Sequence, residues 1–120
     1  MANEISVSAS LSVSKGGASI SATGTVSFTM SGDQMLSNVQ IIGTAAEAIT
    51  VGDVATIGYV FLKNMDATNF VEVALDSGVS TQKIAKILAG GIALFPASTA
   101  TLYAKADTAN VNLLVGITEL

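Results

Sequence analysis

From Ile5 to Met30 the chain alternates apolar and hydroxyl-bearing side chains with a period of two. Ile5, Val7, Ala9, Leu11 and Val13 are separated by Ser6, Ser8, Ser10, Ser12 and Ser14. After Lys15-Gly16-Gly17 the pattern resumes, with Ala18, Ile20, Ala22, Val26, Phe28 and Met30 set against Ser19, Ser21, Thr23, Thr25, Ser27 and Thr29. Successive Cβ atoms of a strand point to opposite sides, so this period predicts two β-strands, each with an apolar and a hydroxyl face. The polar face is uncharged, since Glu4 and Lys15 are the only ionisable side chains before Asp33. Exposed strands usually carry Lys, Glu or Pro to block edge-to-edge pairing. Strands without such protection are expected to be covered by a partner, which makes Ser6, Ser8, Ser10, Ser12, Ser19, Ser21 and Thr23 the candidate assembly contacts.

Further along, turn signals recur at short intervals: Ser31-Gly32-Asp33, Val51-Gly52-Asp53, Asn64 to Asn69, Asp76-Ser77-Gly78, Ala89-Gly90-Gly91, Pro96-Ala97-Ser98 and Asp107 to Asn110. Gly, Asn and Asp tolerate positive φ, and Pro96 has no N–H for a sheet ladder, so these clusters end strands. Strands are predicted near 36–43, 47–51, 56–63, 70–75, 83–88, 92–95, 101–105 and 111–118. That spacing is the signature of an all-β sandwich, with jelly-roll topology favoured and an extended N-terminal strand region in front. The segment 83–88 also places Ile84, Ile87 and Leu88 at helical spacing, but Gly90-Gly91 follows too soon for a helix of ordinary length, which favours a strand. The stretch Thr56–Leu75 reads as a hairpin, Tyr59–Lys63 against Phe70–Leu75. Phe28, Phe61, Leu62, Phe70, Val71, Val73, Leu94 and Phe95 are the expected packing core, either within the chain or between subunits.

At 120 residues the chain has room for about one domain. It divides into an N-terminal Ser/Thr-alternating region, 1–45, and a sandwich body, 46–120, within one structural unit. No apolar run approaches the roughly 18 to 20 residues of a membrane helix, and the N-terminus has no secretory pattern, so a soluble protein made in a cytoplasm is expected. Without cysteine there is no disulfide framework and no thiolate metal site. A net charge of −4 and the lack of arginine count against nucleic acid.

Several phrases have a familiar cast. Gly58 to Val73, then Ala89-Gly90-Gly91 before Ile92-Ala93-Leu94-Phe95, then Tyr103-Ala104-Lys105-Ala106, resemble segments of small virion proteins of tailed bacteriophages, the nearest analogy being capsid decoration (cement) proteins. The resemblance covers roughly 50 to 120 and leaves the Ser-alternating strands unassigned. It implies a β-sandwich or jelly-roll unit that clusters as a homotrimer on the outer face of a phage head, made in the host cytoplasm and bound to the major capsid protein. It implies neither nucleic-acid nor membrane binding.

Candidate chemistry is sparse. The chain contains no histidine or cysteine, which removes the commonest general base, metal ligand and thiol nucleophile. No Gly-x-Ser-x-Gly elbow activates any serine. Glu47 and Asp53, or Asp66, Glu72 and Asp76, would be the pairs for glycosidase-type acid and base work, but tryptophan platforms for a sugar are missing. Gly16-Gly17 and Gly90-Gly91 lack the Lys-Ser/Thr of a phosphate loop. The Asn64–Asn69 loop has one carboxylate and no central Gly, which favours an Asx-stabilised turn over a calcium site. No enzyme activity, cofactor or metal is expected. The competing reading is a carbohydrate-binding or host-adhesion module of a phage tail or fibre, with Tyr59, Tyr103 and the Asn64–Asn69 loop as its contacts.

Overall fold

The structure, a computed structural model, describes residues 3–30, 32–98 and 101–119; Met1, Ala2, Ser31, Thr99, Ala100 and Leu120 lie outside the described residues. Among the described residues it is all-β, with ten antiparallel strands and no helix. The chain forms two compact units, Met1–Ser31 and Gly32–Leu120.

The first unit is a two-stranded ribbon of β1 (Ile5–Lys15) and β2 (Ala18–Phe28). Gly16 and Gly17 form its two-residue turn with φ of 61° and 86°. Positive φ at both central positions suits the right-handed twist of the flanking strands and is available to glycine without steric cost.

The second unit is a two-sheet β-sandwich. One sheet has the order β3 (Met35–Ile42), β10 (Val111–Glu119), β5 (Ile57–Asn64), β8 (Ile92–Pro96). The other has the order β4 (Glu47–Ala48), β9 (Tyr103–Ala106), β6 (Val71–Ala74), β7 (Lys83–Ile87). The strand Met35–Ile42, grouped with the N-terminal region by its sequence position, is thus an edge strand of the sandwich. The segment 83–87 is a strand, as expected, paired with β6.

The core lies between the sheets and follows the period-two pattern. Val111, Leu113, Val115 and Ile117 of β10 and Val60 and Leu62 of β5 face Val71 and Val73 of β6 and Ala104 and Ala106 of β9, all of them buried. Small Ala residues on β9 opposite larger aliphatic chains let the two layers pack closely. Of the expected core, Leu62, Val71 and Val73 are fully buried and Phe95 packs at the margin.

The predicted hairpin Thr56–Leu75 does not form. β5 pairs with β10 and β8, whereas β6 pairs with β7 and β9, so the loop after Asn64 crosses from one sheet to the other. Alternation specifies which face of a strand is buried and leaves its hydrogen-bonded neighbour open. The crossing is set by Asn64, a fully buried polar residue. Its Nδ2 donates to Asn69 O (2.9 Å) and Ile87 O (3.0 Å), and its Oδ1 accepts from Asp66 N (2.9 Å). Its backbone N–H donates to Gly91 O (2.9 Å), which ties the loop to the β7–β8 turn.

Candidate assembly surfaces

The ribbon's register separates its two faces completely. Ser6↔Ser27, Ser8↔Thr25, Ser10↔Thr23, Ser12↔Ser21 and Ser14↔Ser19 share one face, which brings all seven candidate contact residues together, each exposed. The opposite face carries Ile5↔Phe28, Val7↔Val26, Ala9↔Gly24, Leu11↔Ala22 and Val13↔Ile20, and ends at the turn with Lys15↔Ala18, its one charged residue. Most of that apolar face is uncovered, with Leu11 60% and Ile20 62% exposed. Among the described residues neither strand has a second neighbour, so both edges of the ribbon are unpaired. Its base is secured by Asn3 N donating to Thr29 Oγ1 (3.1 Å) and Met30 N to Glu4 Oε1 (2.9 Å). A lone two-stranded ribbon is at best marginally stable in water, and an uncovered apolar face adds to the demand for a partner.

The sandwich has two outer faces of opposite character. On the first sheet Met35, Val39, Ile41, Phe61, Ile92, Leu94 and Leu114 point outward, and Lys63 is the one charge at an outward strand position. Phe61 and Leu94, expected in the core, are a half-buried cross-strand pair here, because Val60 and Leu62 take the inward positions. Gly116 lies opposite Phe61, and a Cβ there would sit at an ordinary contact distance of 3.7 Å from Phe61 Cβ. The outer face of the second sheet is charged. Glu72 lies in register with Lys86 and Lys105, and Lys83 Nζ is 3.3 Å from Glu72 Oε2. Phe70, half-buried, carries Lys86 Nζ 4.3 Å from its ring centroid, a cation–π contact in place of a core position. Phe28 lies in the ribbon opposite Ile5, in the other unit from the sandwich core.

Four of the five carboxylates considered as catalytic or ligating candidates, Asp66, Asp76, Glu47 and Glu72, are engaged in structural contacts. Asp66 Oδ2 accepts from Thr68 N (2.9 Å) and Asn69 N (2.6 Å), forming the expected Asx-type turn. These two backbone donors, Asn69 first, hold its carboxyl below the usual value. Asp76 accepts from the backbone N–H groups of Gln82 (2.9 Å) and Ser80 (3.0 Å), which lowers its pKa to about 2. This carboxylate organises the 75–82 loop, where buried Val79 sits at φ 49°, a strained conformation for a β-branched residue. Glu47 Oε2 accepts from Gly43 N (3.1 Å), and Glu72 is paired with Lys83. Among the described residues no three acidic, His or Cys side chains converge as a metal site. A cavity lined by Leu75, Ile84, Phe95 and Leu102 measures about 160 Å³, short of the ~300 Å³ of small ligand pockets.

Tyr59 and Tyr103, the contacts named for a glycan site, lie on opposite outer faces of the sandwich, and Asn64 is buried. They do not form one platform. Sequence reasoning missed Asn64's structural role and the apolar outer face of the first sheet. The signal for the latter was the pair of apolar residues Ile41 and Val39 alternating with Ile42 and Gln40. No protein-family model, curated protein or solved structure matches the chain.

Proposed function

We propose that this is a structural virion protein that decorates the outer surface of a phage capsid as a homo-oligomer, bound to the major capsid protein. The observation that carries the reading is the ribbon: a charge-free hydroxyl face, an uncovered apolar face and two bare edges, all of which call for protein partners. Serine and threonine add little bulk or ordering entropy, so such a face can approach a preformed lattice closely. The strand order supports a jelly-roll reading of the sandwich, since β3-β10-β5-β8 over β4-β9-β6-β7 sends successive strands back and forth between the sheets at every step but the β6–β7 hairpin. A net charge of −4 suits the outside of a head, because an acidic lining would repel packaged polyanion. Lysines clustered on one sheet and apolar residues on the other give the sandwich distinct solvent-facing and contact-facing sides.

A protein that binds only the assembled lattice stabilises it by mass action. Heads lacking the protein should form yet release DNA at lower temperature or ionic strength than complete heads, and purified protein added back should restore them. Mutant heads as robust as complete ones would refute the cement role.

A further inference from the structure

We infer that the apolar face of the β1–β2 ribbon is a self-association surface, on which three copies of this chain close edge to edge into a six-stranded barrel with the hydroxyl faces outward. This rests on the homo-oligomeric part of the proposed function and assigns the interface within it.

Eleven residue pairs at about 3.4 Å per residue make the ribbon ~37 Å long, and two strands about 4.8 Å apart give an apolar face of roughly 370 Å². Two such faces pressed together cover a flat footprint of roughly 740 Å² in all. Face-to-face pairing would leave four strand edges bare. Roughly half of the ribbon's backbone N–H and C=O groups point outward from those edges, and a partner must supply an uncharged edge of equal length to pair with them. A second copy supplies one: β1 and β2 are both eleven residues long, with Lys15 the only charge in either. Closure of three ribbons pairs every edge and buries every apolar face at once.

The side chains on the apolar face favour three copies over four. An eight-stranded barrel has an interior that side chains just fill, and six strands enclose less. Ala9↔Gly24 form a waist across the face, with Ala22 next to it, and a Cβ added at Gly24 would meet nothing within 4 Å. Small residues at the waist and Leu11, Val13, Ile20, Val7 and Val26 on either side suit a narrow interior. The same waist argues against lipid as the covering partner, because small residues gain nothing there and Phe28 is the ribbon's one aromatic, where lipid-spanning strands carry aromatic girdles.

The absence of native cysteine permits a direct test on the full chain. Ala9→Cys places three thiols around the barrel interior, while Ser10→Cys places them on the outside. Under copper-phenanthroline, Ala9→Cys should cross-link between chains and Ser10→Cys should not. Sedimentation should give three times the 12.1 kDa chain mass at micromolar concentration. Leu11→Glu, which forces a charge into the interior, should weaken assembly by at least ~100-fold, whereas Ser10→Lys should leave the trimer intact. A monomeric wild-type protein, equal cross-linking at both positions, or dye release from lipid vesicles by the wild-type protein would overturn the inference. A trimer that cross-links at Ala9→Cys but does not bind capsids upholds it and refutes the virion reading; monomers that bind and stabilise capsids do the reverse.

Discussion

Replacing Asn64 with leucine keeps the branched shape of the side chain, at a larger volume, and removes three hydrogen bonds at the point where β5 leaves one sheet for the other. The bond to Ile87 O is buried; those to Asn69 O and from Asp66 N are partly buried. A buried polar group left unpaired costs about 1–3 kcal/mol, and a bond whose partners regain water costs about 0.5–1 kcal/mol, so Asn64→Leu should cost about 3 kcal/mol in all. In urea, with a slope of about 1–3 kcal/mol/M for a small domain, the midpoint should fall by roughly 1–3 M at unchanged slope. Circular dichroism of the sheet signal provides the readout. Asn64→Asp makes a sharper companion. It keeps an acceptor for Asp66 N but turns carboxylate oxygens toward two carbonyls, so the folded-state pKa of the new carboxyl rises above its unfolded value of about 3.9. The variant should therefore lie closest to wild type below about pH 4 and lose ground as pH rises through the folded-state value. A midpoint shift for Asn64→Leu under ~0.5 M would show that water replaces all three bonds and that the crossing is held by other contacts.

Truncating Leu62, fully buried, to Ala should cost about 2–5 kcal/mol, and Phe61→Ala on the outer face should cost clearly less; parallel urea melts compare them. Lys83→Ala removes a partly exposed ion pair and should change stability by less than about 1 kcal/mol. The Asp76 pKa, lowered to about 2, contributes stability that is present above about pH 4 and lost as pH falls toward 2. Asp76→Asn should therefore flatten the acid limb of a melting-temperature profile in that window; an unchanged limb would show that the loop bonds do not couple to folding. A fragment beginning at Gly32 should retain its β-sheet spectrum and remain monomeric, because the sandwich core draws on residues after that point alone.

Strand positions were legible because period-two alternation and Gly/Asp/Asn punctuation are local signals. The strand at 83–87 and the tight turn at Gly16-Gly17 both follow from residues within a few positions of each other. Strand partners were not legible, since β5 and β6 carry the same alternation whether they pair with each other or sit in opposite sheets. Which large apolar residues pack inside the sandwich and which on its outer face was not legible for a related reason. Phe61 and Leu94 are large and apolar, yet one step of register puts them outward while Val60 and Leu62 face in. Asn64 has no sequence signal of its own, because a buried amide and a loop asparagine look alike until their partners are known. The ribbon's faces were the clearest feature, and pairing in register left the hydroxyl and apolar sets on opposite sides.

Electron microscopy of purified phage heads with and without this protein tests its assignment to the capsid surface most directly. Complete heads should show added density on the outer surface, in threefold clusters over the joints between capsid subunits, and that density should return when purified protein is added to heads that lack it. Identical outer surfaces in the two preparations, or density confined to the tail, would contradict the decoration role.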